Sequence, residues 1–295
     1  NSLELPDGVP YVHSFGLSKS YAMIVMMPFR QNYFNYPGLF EKGLLRSSTL
    51  VDYTRVALIK LDDGEIVMDT SFSEPVFFFH AISTIESEND MGETEVSLRV
   101  SSFEDGDIFY GEDQFIRMER ARASKENRNR IDSSPSLLDI TCNIEQGTVD
   151  LNYLNITGVQ TWLDLPSHRY SRAFGDQTIP IQSTHPRYVY GWAGKAFGSE
   201  DFDSMILVKI DTETKSTAAY YRQESFYHSE AIFIPDPDGT EEDDGVLLNK
   251  VYDGVRREDA FFVYDAKTLA VIATAYTGVR SAVDFHGVWI DASTL

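Results

Sequence analysis

The stretch FFVYDAKTLAVIATAY (261–276) decides the fold. An aromatic and β-branched run closes on Asp265, a polar turn follows through Ala266, Lys267 and Thr268, and a second β-branched run returns. Such runs suit a pleated, half-buried surface, and Asp and Thr side chains bond their own backbone in turns. RVALIKLDDGEIVMDT (55–70) and MILVKIDTETKSTAAYY (205–221) repeat the design, with turns at 61–64 and 211–214. Further strand-like runs lie at 21–27, 96–101 and 245–251. This pattern predicts an all-β chain in which one hairpin recurs in degenerate form, as in the outer hairpins of β-propeller blades. About fourteen strands at roughly four per blade give three to four blades, fewer than a closed ring needs. One short helix is predicted over 114–125, rich in helix formers, followed by an exposed polar loop over 126–136 and other long loops. No two-domain boundary is evident, so residues 1–295 read as one propeller domain.

Composition narrows the function. The chain has 295 residues, 42% of them hydrophobic, enough for a substantial core, and 24% charged. A net charge of −21 argues against nucleic acid, because phosphate binding needs a basic surface. It also argues against electrostatic docking on anionic lipid, leaving only local apolar contact with a membrane. The single cysteine, Cys142, allows no internal disulfide and no cysteine-based zinc site, which fits a reducing compartment. Asn155-Ile156-Thr157 matches a glycosylation triplet of the kind that arises by chance. The first residues, NSLELP, read like the middle of a protein, and we expect further sequence upstream or on another chain.

Three of the six histidines share a context. His13 opens HSFGLSKSYAMIVMMP (13–28), His80 ends EPVFFFH (74–80), and His286 sits in VDFHGVWI (283–290). Each lies beside aromatic residues at a strand end. Any one of them could be an ordinary buried histidine with one hydrogen bond, but three matching contexts far apart in sequence favour a shared metal. His168 and His185 read as loop histidines.

Several segments resemble the carotenoid cleavage oxygenase family. HSFGLSKSYAMIVMMP is similar to the segment around one iron-binding histidine, and FFFHAISTIE (77–86) to that around another. HSEAIFIPDPDGTEEDDGVLLNKVYD (228–253), RYVYGWAG (187–194) and the sequence from 261 through His286 complete a resemblance covering nearly the whole chain. The resemblance implies a seven-bladed propeller whose later blades this chain supplies. It also implies Fe(2+) on its axis held by four histidines: His13, His80 and His286 here, and a fourth upstream of residue 1. Glu230 matches a glutamate that accepts the outer ring N–H of a ligating histidine, and Asp164 stands where the family has a second one. The shorter Asp164, Ser83 in place of an asparagine, and His228 and Ala231 in place of prolines are departures that weaken an enzyme reading.

The implied activity is a non-haem Fe(II) dioxygenase that cleaves a conjugated double bond of a carotenoid or apocarotenoid with O2 to give carbonyl products. Retinoid isomerisation is a rarer family variant. The implied partners are a polyene, O2, an N-terminal chain completing the propeller, and a membrane surface touched peripherally inside the cell, in cytoplasm or plastid. FRQNYFNYPGLFEKGLL (29–45) carries Phe34, Tyr36, Leu39 and Phe40, which read either as core packing or as an apolar lip admitting a lipid-soluble substrate. The alternative from a different class is a catalytically inactive scaffold or pigment-binding subunit. A hydrolytic propeller would need paired catalytic carboxylates, and no convincing pair is evident.

Overall fold

The computed structural model describes residues 2–5, 7–31, 49–103, 106, 136–164, 184–196, 204–281 and 286–287, with backbone alone at 159–164 and 194–196. Among them are nineteen strands in five antiparallel sheets and no helix. A small sheet joins β1 (Val9–Pro10), β4 (Phe29–Gln31) and β5 (Thr49–Leu50). The other four sheets have four strands each, as propeller blades do. The first comprises β2 (Gly16–Leu17), β3 (Tyr21–Met26), β6 (Thr54–Lys60) and β7 (Ile66–Phe72). The second runs from β8 (Phe77–Glu88) through β9 (Thr94–Phe103) and β10 (Ser136–Asn143) to β11 (Thr148–Asn155). The third holds β12 (Val159–Asp164), β13 (Tyr188–Ala196), β14 (Ile206–Asp211) and β15 (Ser216–Tyr221). The fourth holds β16 (Phe226–Pro235), β17 (Gly245–Asp253), β18 (Glu258–Asp265) and β19 (Val271–Tyr276).

The three hairpins that set the fold in the sequence become β6–β7, β14–β15 and β18–β19. The strand count exceeds the sequence reading because β1, β2 and β5 are two residues long and β4 three, too short to show a periodic pattern. The predicted helix at 114–125 and the apolar segment with Phe34, Tyr36, Leu39 and Phe40 lie outside the described residues.

Burial follows position within a sheet. Every residue of β14 is buried and every residue of β19 is exposed. Apolar residues carry the middle strands to the interior, at a gain of about 25 cal/mol per Å² of apolar surface removed from water. The chain forms two compact units: Asn1–Tyr153 with Ile181–Thr184, and Leu154–Pro180 with His185–Leu295. In the first, Val25, Val56, Leu58, Leu98, Val100, Leu138 and Ile140 are fully buried. Gly16 is required where β2 meets the second blade, since a Cβ there would stand 2.7 Å from Thr84 Oγ1 and 3.0 Å from Leu98 Cδ1. The same junction is tied by Glu86, whose carboxylate accepts the hydroxyls of Ser18 and Ser20 and the Ser20 N–H.

In the second unit, Tyr190, Leu207, Phe233, Leu247, Phe262 and Tyr264 belong to one core cluster, with Tyr190 stacked on Phe233 at 5.9 Å. Lys209 is buried there but compensated. Its ammonium donates to Asp243 at 2.5 Å and to the Lys267 carbonyl, and lies 4.1 Å from the Tyr188 ring. So paired, the buried cation leaves no orphaned polar group.

Candidate metal centre

The first two histidines meet within the first unit. His13 follows β1 on a short connection into β2 and is exposed, whereas His80 lies within β8 and is buried. Their rings are 5.0 Å apart, centroid to centroid, at 88°. Phe79 packs edge-on against His13 at 5.1 Å. Tyr11 Oη and His13 Nδ1 lie 2.8 Å apart, and burial raises the Tyr11 phenol above its ordinary pKa, so it stays neutral.

A β-bulge places His80. Phe78 pairs with Ser102 and Ala81 with Val100, so Phe79 and His80 together oppose the single residue Ser101. A bulge re-aims a side chain and breaks the ladder locally. Here the neighbouring backbone groups turn to a side chain: Ser14 Oγ donates to the Phe79 carbonyl at 2.7 Å and accepts the Ala81 N–H at 2.9 Å.

His286 belongs to the second unit. Its Nδ1 lies 3.1 Å from Glu230 Oε2, and the same oxygen accepts the Gly287 N–H at 3.2 Å. Glu230 is buried on β16 while the His286 side chain is half exposed. A second bulge sets Glu230: His228 pairs with Val251 and Ala231 with Asn249, leaving Ser229 and Glu230 opposite Lys250. Ser229 Oγ donates to the Lys250 carbonyl at 2.8 Å, and Asn249 Nδ2 donates to the Ser229 carbonyl at 2.7 Å. That bond orients the Asn249 amide, so its Oδ1 accepts at 2.8 Å from His228 Nδ1–H. The His228 tautomer is thereby assigned, and its buried Nε2 has no hydrogen-bond partner among the described residues. Burial depresses the His228 pKa to about 4.

His13 and His286 thus share one device. An oxygen engages Nδ1, which fixes the ring and makes Nε2 the nitrogen a metal would take. Neutral imidazoles with oriented outer nitrogens are a donor set that suits iron. Of the sequence candidates, His13 meets His80, and Glu230 meets His286. Asp164 ends β12 with its backbone paired to Trp192, and its side chain lies outside the described residues. Sequence reasoning passed over Tyr11 and Ser14. Their nearness to His13 was the one available signal, since what they bond lies across the fold.

Comparison with known proteins agrees with this architecture. A family model described as "Retinal pigment epithelial membrane protein" matches residues 1–291. Among curated proteins, the beta,beta-carotene 15,15'-dioxygenase of Rattus norvegicus is 24% identical over 298 residues, covering 95% of this chain and 50% of that protein. The carotenoid dioxygenase of Neurospora crassa is 27% identical over 309 residues, covering 94% of this chain and 47% of its own length. Among solved structures, cobalt-substituted apocarotenoid oxygenase of Synechocystis superposes with a TM-score of 0.69 at 20% identity, covering 97% of this chain and 54% of that one. The chain therefore spans about half the length of the relatives it matches. With an all-β architecture of four-stranded blades and a family match running from residue 1 to 291, the chain belongs to the carotenoid cleavage oxygenase family.

Proposed function

We propose that this chain forms the later blades of a non-haem Fe(II) dioxygenase that cleaves a conjugated double bond of a carotenoid or apocarotenoid to two carbonyl products. The observation that carries this reading is the perpendicular His13–His80 pair, 5.0 Å apart, in a chain of this family. The relatives' names support the substrate class. His13, His80 and His286 would hold the iron, with a fourth histidine supplied by sequence corresponding to the other half of the longer relatives, on this or a partner chain. Bound iron would supply the O2 chemistry.

The rest falls to the protein's own side chains. With a metal on Nε2, His13 Nδ1–H would donate to the neutral Tyr11 oxygen and His286 Nδ1–H to Glu230, holding each ring in place. Phe79 would present an apolar surface beside His13 to a hydrocarbon substrate. Asp164 would orient a further ligand, through water because its side chain is short. Phe34, Tyr36, Leu39 and Phe40 would form an apolar lip touching a membrane leaflet inside the cell. No helix among the described residues is long and apolar enough to cross a membrane.

The test is anaerobic loading of the full-length protein with Fe(II), metal analysis, and chromatography of products from an apocarotenoid under O2. About one iron per assembled propeller and two carbonyl products are expected. No iron uptake and an intact polyene would overturn the reading in favour of a scaffold.

A further inference from the structure

We propose that Ser14 is a positioning residue whose hydroxyl fixes the spacing of His13 and His80, an inference that rests on the metal reading of that pair. A serine hydroxyl carries one donor and two acceptor sites. Ser14 uses both kinds across the fold: it donates to the Phe79 carbonyl at 2.7 Å and accepts from the Ala81 N–H at 2.9 Å. Those two groups flank His80, and Ser14 directly follows His13. One oxygen therefore links the two imidazoles, through one residue of backbone on each side.

The need for such a link comes from the bulge. Among the described residues β8 stands at the end of its sheet, with β9 as its strand neighbour. The bulge at Phe79 and His80 interrupts the β8–β9 ladder at the residue that must be held still. Backbone groups displaced from a ladder need partners, and an unpaired buried amide is costly. Ser14 supplies the bonds a further strand would otherwise give. It does so from the segment that carries the other histidine, so satisfying the backbone and setting the ring separation become one event. Alanine would remove both bonds at once. Threonine keeps the oxygen.

The experiment compares wild type, Ser14→Ala and Ser14→Thr full-length proteins by two readouts. Amide hydrogen exchange at Ala81, followed by NMR on the metal-free protein, reads the link itself. Co(II) titration, followed by its visible absorption, reads the consequence for a metal. In Ser14→Ala, Ala81 exchange should accelerate by about tenfold or more, and Co(II) affinity should fall about 10–100-fold with an altered spectrum. Ser14→Thr should recover most of both. Unchanged Ala81 exchange in Ser14→Ala would overturn the link, as would equal losses in both variants. Faster exchange with wild-type Co(II) affinity and spectrum would overturn the positioning role. A wild-type protein that takes up no Co(II) would instead overturn the metal reading, with Ala81 exchange still deciding whether Ser14 ties the segments.

Discussion

Two regions of this chain hold a histidine still by opposite means. Beside His13 and His80 stand three neutral groups: a phenol, a serine hydroxyl and the edge of Phe79. Around His286 the partner is a buried carboxylate, Glu230, which accepts from both the ring and the Gly287 N–H. Both regions rely on a bulge in the strand that presents the key side chain, β8 in one and β16 in the other. The difference teaches that packing and neutral hydrogen bonds can aim one imidazole pair, whereas the His286 ring is held by a charge.

The comparison can be broken most directly by removing the rings themselves. His80→Ala and His286→Ala should each cost more metal affinity than the roughly 10–100-fold that follows loss of an orienting partner. Equal metal content in wild type and either variant would remove that histidine from the site.

Acid should separate the two regions next. His228, two residues before Glu230, is buried against Tyr221 and Tyr264 and hydrogen-bonded to Asn249, and its pKa is depressed to about 4 from an ordinary value of 6.5. Its contribution to stability is complete above pH 6.5. It is lost as pH falls towards 4, because the unfolded chain takes up the proton first. The loss should approach about 3 kcal/mol. Thermal denaturation between pH 7 and 4 should show a steeper fall for wild type than for His228→Gln, and parallel curves would refute the assignment.

Glu230→Gln keeps the shape and removes the charge, and should weaken metal binding about 10–100-fold, measured by competition with a chelator. Tyr11→Phe removes one neutral hydrogen bond, worth about 0.5–1.5 kcal/mol, so its effect should not exceed about tenfold. If Tyr11→Phe proved as damaging as Glu230→Gln, the contrast between the regions would fail.

Much of this was legible in the chain. The Asp-closed hairpins announced blades because strand period and turn chemistry are local. The three histidines stood out because each lies beside aromatic residues at the end of a strand-like run. What stayed hidden is what depends on register. Nothing in FFFHAISTIE shows that Phe79 and His80 bulge out of their ladder, and nothing in HSFG shows that Ser14 reaches residues more than sixty positions away. His228 read as a departure from a family proline, and its burial followed only from the packing of Tyr221 and Tyr264 around it.

The blade corners carry a consequence for engineering heat resistance. Five hairpins turn with a left-handed residue four positions after the last strand residue before the turn: Gly64, Gly147, Lys215, Arg257 and Leu269, at φ between 53° and 70°. In two of them an aspartate, Asp211 or Asp253, caps the turn by accepting two successive backbone N–H groups. Left-handed geometry costs a side chain that glycine does not have to place. Lys215 and Arg257 are exposed and could be exchanged for glycine to relax their corners, whereas Leu269 is buried and its side chain must stay. The corners are thus a set of interchangeable joints, and two of them are open to improvement without touching a histidine.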